Sequence, residues 1–120
     1  MTDNRFTIKQ DADLERSGRW ILARRSLGLR SFGMNLVEIE PGGSIPEHDE
    51  TPRNQEEVYI VLSGSAVAVV DGVEHPAPAG TYARFDPEPL RAIANSGDEP
   101  VRLLIVSAPV ESGYEPMDWA

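Results

Sequence analysis

Turn signals recur at short intervals along the whole chain, and this spacing constrains the fold more than any other feature. Clusters of Gly, Pro, Asn and Asp separate runs rich in β-branched, aromatic and aliphatic residues. About eight to ten such runs can be counted, spaced as in all-β domains. No amphipathic helix of ten residues is indicated. The pattern predicts an all-β sandwich or barrel.

Individual segments refine this prediction. Strands are predicted from Trp20 to Arg25 and from Phe32 to Ile39, and a Pro-rich stretch at 76–80 is predicted to end another strand. Asp71-Gly72 is the strongest hairpin signal. Three segments are therefore expected: an N-terminal arm (1–18), a β-barrel domain (19–108) and a C-terminal tail (109–120).

Composition excludes several classes of function. The 120 residues contain no cysteine, which rules out disulfides, zinc–thiolate sites and thiol nucleophiles. Twenty acidic residues against eleven basic ones disfavour nucleic acid and anionic membranes as partners. No apolar run approaches the roughly 20 residues of a membrane span, and the polar N-terminus lacks a signal-peptide core. We therefore expect a cytoplasmic protein with no nucleic-acid or membrane partner.

The stretch from Gly42 to Gly64 holds one of the two histidines and a dense group of carboxylates. Alternate residues of a strand share a face, so His48 and Glu50 are expected to point the same way. The same alternation pairs two further sets, Glu57 with Tyr59 and Arg91 with Asn95. Closing the sheet into a barrel is expected to bring these faces together. The other histidine, His75, lies beside the Pro-rich turn and is predicted to be a surface residue.

This stretch resembles the first motif of the cupin superfamily. In that motif a Gly is followed by five residues, a His, one residue, a second His, a Glu and, six residues later, a Gly. Here five residues separate Gly42 from His48, and six residues separate Glu57 from Gly64. Glu50 stands at the position of the second His.

The second cupin motif is matched in part. Gly80 fits its first position and Asn95 its last, whereas Asp86 and Glu88 stand where Pro and Gly are usual. Arg91 stands at the position of the third His. The resemblance implies a small single-domain cupin: a double-stranded β-helix or jelly-roll barrel, often dimeric. It also implies a metal in the barrel mouth, normally held by three His and one Glu.

Two interpretations of the cluster remain open. In one, His48, Glu50 and Glu57 bind a divalent transition metal, for which this donor set favours Mn, Fe or Zn. In the other there is no metal, and the permanently charged Arg91 acts as a surrogate cation for the carboxylates. A unit-charge pair 4 Å apart is worth ~4 kcal/mol at an effective dielectric near 20, so a guanidinium at a ligand position opposes a divalent ion.

The preferred prediction is a cupin barrel that binds a small molecule in its mouth. One alternative is a metal-dependent enzyme, a dioxygenase or isomerase acting on a small organic acid, with Arg91 anchoring the substrate carboxylate. The other is a non-catalytic dimeric interaction module with a filled interior. The predicted pocket residues are His48, Glu50, Glu57, Tyr59, Arg91 and Asn35.

A homodimer is also expected. Val58, Ile60 and Leu62 form a second apolar face on the strand that carries Glu57. A strand that is apolar on both faces is normally covered on both. We therefore expect the N-terminal arm or a second subunit to cover the outer side.

Overall fold

Two antiparallel sheets form most of the computed structural model, which describes residues 4–120. One short α-helix, α1 (Ala23–Leu27), and two 3-10 helices (Asp11–Asp13 and Thr51–Arg53) accompany them. In chain order the strands are β1 (Arg16–Ser17), β2 (Trp20–Ile21), β3 (Gly33–Ile39), β4 (Ser44–His48), β5 (Gln55–Ser63), β6 (Ser65–Val70), β7 (Val73–Pro78), β8 (Tyr82–Phe85), β9 (Arg91–Ala94) and β10 (Val101–Pro109).

The two sheets pack face to face around a single main core. One sheet has the strand order β1-β2-β3-β10-β5-β8, and the other has the order β4-β9-β6-β7. Alternate residues of each strand point inward, so Val37 and Leu103 from the larger sheet meet Ile45 and Ile93 from the smaller one. The predicted all-β jelly-roll barrel is confirmed. Within residues 4–120, no helix has the length and apolar character that crossing a bilayer demands.

The predicted strand from Trp20 to Arg25 is wrong beyond Ile21. The chain turns there into α1, which ends at Gly28 in the left-handed conformation with φ 71°. The Gly28 N–H caps the helix through the Arg24 and Arg25 carbonyls. The helix buries Ala23 completely against the sheet. Burial of this residue outweighs the β-like local pattern.

The Pro-rich stretch does not end its strand where the sequence predicted. Strand β7 continues through Pro76 to Pro78. It lies at the edge of the smaller sheet and pairs with β6 alone. An edge strand tolerates proline because the missing N–H removes no bond on the open side. His75, on this strand, is exposed as expected.

The N-terminal residues cover only half of the outer face of the larger sheet. Leu14, Ile21 and Ala23 form a second small core with Leu36 and Leu104 of β3 and β10. The β5–β8 half is uncovered, and its Leu62 and Tyr82 side chains are 46% and 73% exposed. Leu14 of the arm, together with Ile21 and Ala23 beyond it, therefore provides part of the expected covering.

One buried amide joins the loops at the closed end of the barrel. Asn95 is 1% exposed, and its side-chain N–H groups donate to the carbonyls of Ile39 and Glu99, each at 2.8 Å. Its side-chain oxygen accepts the Gly97 N–H at 3.0 Å. Both of its N–H donors and its oxygen form hydrogen bonds within the fold, which explains an Asn at this motif position.

Candidate functional site

A cavity of about 260 Å³ opens at the mouth of the barrel between the two sheets. Five of the predicted residues line it: Asn35, His48, Glu50, Glu57 and Tyr59. Among residues 4–120, no aromatic side chain plugs the mouth, although the Trp20 side chain forms part of one wall. The filled interior considered in the sequence analysis is therefore not observed at this position.

Strand register builds the floor of the pocket. Ile105 of β10 lies opposite Asn35 of β3 on one side and Tyr59 of β5 on the other. The three residues form a row across adjacent strands and point inward. Two residues along, Ser107 lies opposite Glu57. Alternation along each strand thus delivers polar side chains to the mouth and leaves apolar ones deeper in the core.

His48 enters the pocket at the end of β4. An irregularity in the β4–β9 register between Ile45 and His48 places His48 opposite Arg91. The His48 Nδ1 atom lies 3.1 Å from the carbonyl oxygen of Pro46. Because a carbonyl only accepts, this contact places the neutral ring's proton on Nδ1 and directs the Nε2 lone pair toward the pocket.

The three predicted metal-ligating residues meet in the pocket. The Nε2 atom of His48 lies 3.6 Å from Glu50 Oε2 and 3.8 Å from Glu57 Oε1. One ligand atom from each residue lies within 4.8 Å of the other two. Glu50 and Glu57 are 8% and 7% exposed, so their charges are screened by water far less than surface carboxylates.

Arg91 does not lie on the pocket wall; it is completely buried behind Glu57. Its Nη2 and Nε donate to Glu57 Oε1 at 2.8 and 3.2 Å. Its Nη1 contacts three backbone carbonyls, those of Asp86, Pro87 and Pro89, at 2.7–3.2 Å. Arg91 had been predicted to line the pocket. Burial and these five contacts hold it in the layer beneath.

An aromatic pair supports both Arg91 and Glu57. The rings of Tyr59 and Phe85 meet edge to face, 5.0 Å between centroids. The Arg91 guanidinium carbon lies 5.2 Å from the centre of the Phe85 ring, within the range of a cation–π contact. These contacts fix the carboxylate–guanidinium pair from below and leave the upper side of Glu57 facing the cavity.

Tyr59 remains a hydrogen-bond donor at neutral pH. Burial, reinforced by the negative charge of Glu57, raises the pKa of the Tyr59 hydroxyl well above its usual value. The hydroxyl donates to Glu57 Oε1 at 3.2 Å and lies 3.4 Å from His48 Nε2. Its one proton can satisfy only one of these two acceptors at a time.

The donor set is compatible with a three-ligand divalent metal site. His48, Glu50 and Glu57 supply one nitrogen and two carboxylates, a combination used by Mn, Fe and Zn. However, Glu57 Oε1 already accepts three hydrogen bonds, two from Arg91 and one from Tyr59. A metal cation bound to Glu57 Oε1 would therefore share this oxygen with the Arg91 guanidinium.

Seven further wall residues were not predicted, and four of them carry polar groups: Trp20, Ser107, Gln55 and Arg53. The Gln55 side-chain amide donates to Glu50 Oε1 at 2.7 Å, and Arg53 Nη1 lies 3.6 Å from the same oxygen. Ser107 shares a face with Leu103 and Ile105, a signal visible in the sequence. Its place at the mouth depends on the register with Glu57.

The family follows from the sequence itself, because residues 35–107 match the family described as Cupin domain. The chain belongs to the cupin family. The match includes both motifs and every predicted pocket residue. No curated protein matches this cupin.

Solved structures resemble the same barrel. A cupin protein from Bacteroides fragilis is 24% identical, with a TM-score of 0.79 over 98% of this chain and 94% of that chain. A sugar phosphate isomerase from a cupin superfamily, from Silicibacter pomeroyi, is 29% identical, with a TM-score of 0.67 over 76% of this chain and 59% of that chain. A predicted oxalate decarboxylase from Thermotoga maritima is 22% identical, with a TM-score of 0.65 over 75% of this chain and 76% of that chain.

Proposed function

We propose that this cupin binds a small polar organic molecule in its mouth, with Arg91 in the role that a metal ion has in many cupins. The observation that carries the proposal is the position of Arg91, which is 0% exposed and donates twice to Glu57. A buried carboxylate requires a counter-charge. Arg91 provides that charge permanently, because guanidinium does not deprotonate in proteins.

The cavity wall offers free hydrogen-bonding groups to such a molecule. Among residues 4–120, no protein partner is found for the side-chain polar groups of Asn35, Ser107 and Trp20. Ile45 and Ile105 supply apolar surface beside them. Directed polar groups beside apolar surface are typical of small-molecule sites.

Elemental analysis of protein purified without a histidine tag or chelator tests the metal-free part of this proposal. We expect far less than one transition metal per chain, and weak binding when Mn²⁺, Fe²⁺ or Zn²⁺ is added. A stoichiometric metal that is lost in Glu57→Gln would overturn it.

Arg91→His gives the sharper test, because it restores the ligand type that the cupin motif has at this position. We expect metal affinity to rise on the order of tenfold or more over wild type, the size of effect that neighbouring groups exert at metal sites. Arg91→Met is the matched control, since it removes the charge without adding a ligand. Equal affinities in all three proteins would show that Arg91 does not oppose a metal.

A metal-dependent isomerase of a small organic acid is the second candidate. It is favoured by the three ligand atoms within 4.8 Å of one another and by the similarity to a sugar phosphate isomerase. His48, Glu50 and Glu57 would hold the metal, which would act as a Lewis acid toward a carbonyl oxygen. Arg53 at the rim, rather than the buried Arg91, would then be the group available to a substrate anion.

A further inference from the structure

Three hydrogen-bond acceptors converge on the inner end of the cavity. They are His48 Nε2 and the carboxylates of Glu50 and Glu57. Nε2 lies 3.6 Å from Glu50 Oε2 and 3.8 Å from Glu57 Oε1, and one oxygen of each carboxylate lies within 4.8 Å of the other. The contact of Nδ1 with the Pro46 carbonyl makes Nε2 an acceptor in the neutral ring. Acceptor lone pairs that face one another at these distances repel, and a hydrogen-bond donor placed between them removes this repulsion.

The protein supplies too few donors from the pocket side. The Tyr59 hydroxyl has one proton, which it donates to Glu57. Gln55 and Arg53 both approach Glu50 through Oε1. Within residues 4–120, no donor forms a hydrogen bond to Glu50 Oε2, although the Glu50 side chain is nine-tenths buried.

The charges of the cluster fix the charge of its ligand. Glu50 and Glu57 contribute two negative charges and the buried Arg91 one positive charge, so the cluster carries a net charge of about −1 with neutral His48. Arg53 lies near Glu50, but its side chain is 75% exposed and its charge is screened by water. A monovalent cation restores neutrality. A divalent one leaves an excess positive charge beside buried Arg91.

We propose that the cluster binds the protonated primary amine of a small organic molecule, which deepens and rests on the ligand-binding function proposed above. An alkylammonium group has three N–H donors, one for His48 Nε2, one for Glu50 Oε2 and one for the Glu57 carboxylate through Oε2, since Oε1 already accepts from Arg91 and Tyr59. Charged N–H···O bonds are about 2.7–2.9 Å long. One ammonium nitrogen can therefore reach three acceptor atoms that lie within 4.8 Å of one another. The carbon skeleton then lies along Ile45 and Ile105, with Asn35 and Ser107 able to bind its polar substituents.

Ethanolamine and choline form a direct test with the full chain, by isothermal titration calorimetry at pH 7.5 and near-physiological salt. Both are monovalent cations with the same hydroxyethyl group, but choline has no N–H. We expect ethanolamine to bind at one site per chain and choline to bind at least tenfold more weakly. Equal affinities would mean non-specific attraction to an acidic protein and would overturn the proposal.

Variants localise the binding. Glu50→Gln keeps the oxygen that accepts from Gln55 but removes the charge, and we expect at least a tenfold loss of ethanolamine affinity. Glu56→Gln makes the same change on an exposed neighbour that pairs with Arg84 outside the barrel, and we expect no loss. Circular dichroism checks that both variants fold. Equal losses, or none in Glu50→Gln, would contradict the assignment.

Amide chemical shifts of pocket residues separate failure of this inference from failure of the proposed function. Glycerol and pyruvate serve as neutral and anionic probes alongside ethanolamine. Shifts at Asn35 and Ser107 with either of these, but not with ethanolamine, would refute amine binding and leave a ligand pocket. Absence of shifts with all three would count against both. One tightly bound Zn²⁺ or Mn²⁺ per chain, lost in Glu50→Gln, would identify a metal site instead.

Discussion

At the residue scale, the site is organised around one oxygen. Glu57 Oε1 accepts from Arg91 and Tyr59 beneath the cavity and faces His48 within it. Its position is set by buried groups with fixed partners. The side chains above it have polar groups that can still form hydrogen bonds with a ligand. A rigid lower layer that supports an adaptable upper layer is how binding sites obtain precise geometry.

Tyr59 gives a prediction about alkaline pH. The folded-state pKa of its hydroxyl is raised above the unfolded value of about 10. The folded state therefore keeps a proton that the unfolded state loses, and the associated stability is complete below pH 10. It declines as pH rises from there through the raised pKa.

We expect Tyr59→Phe to remove this part of the decline and to cost about 1 kcal/mol at pH 7 through the lost hydrogen bond to Glu57. Urea unfolding of both proteins between pH 7 and 11 measures the two effects. Tyr114→Phe is the control, because Tyr114 is 76% exposed. Parallel pH profiles for wild type and Tyr59→Phe would contradict the prediction.

At the element scale, the turn between β5 and β6 is the tightest constraint on the motif. Gly64 has φ 80°, and a Cβ atom there would lie 2.5 Å from the Pro100 carbonyl oxygen. Both backbone conformation and space therefore require glycine. The final Gly of the first motif is thus explained by packing against the β9–β10 loop.

Gly64→Ala should destabilise the protein by clearly more than the ~1–2 kcal/mol that a left-handed residue costs. Gly72→Ala is a matched control, since Gly72 also has φ 80° but a Cβ atom added there would meet nothing within 4 Å. Thermal unfolding of the two variants distinguishes the stability lost through the positive φ, which both share, from the stability lost through the steric clash at residue 64 alone. Equal losses would show that the contact with Pro100 relaxes at little cost.

Elements also show how far the sequence could be interpreted. Strand alternation, the expected closure of the barrel and the resemblance to the cupin motif together predicted that His48, Glu50 and Glu57 lie close to one another. Helix α1 was missed, although a Gly directly after a turn that contains Arg24 and Arg25 is a typical helix end, as Gly28 is here. The buried position of Arg91 could not be predicted, because the carbonyls that hold it come from an irregular loop at 86–89. The location of Ser107 at the mouth could not be predicted either, because it depends on the register of three paired strands.

At the scale of the whole molecule, the homodimer expected from the sequence stays a prediction. Among residues 4–120, the segment that ends with α1 covers only one half of the larger sheet, and the other half presents Val58, Ile60, Leu62 and Tyr82. Glu56 and Arg84 form an ion pair at its border, and a border with both signs of charge can pair with its own copy across a two-fold axis. A second copy of the chain suits such a face.

Sedimentation equilibrium should therefore give twice the chain mass of 13.2 kDa. We expect Leu62→Lys to weaken association by tenfold or more, because it places a charge within the apolar face. Val73→Lys, at a 58% exposed position on the other sheet, should leave the dimer intact. A wild-type monomer at tens of micromolar, an ordinary concentration for such measurements, would contradict the prediction.

The burial of Arg91 has a consequence for how the protein meets its surroundings. A metal ion can be withheld by scarcity, replaced by a competing ion or removed by a chelator. A guanidinium attached to the backbone is supplied with every copy of the chain. The positive charge beside Glu57 is therefore independent of metal supply, and the site keeps its electrostatic character wherever the chain folds.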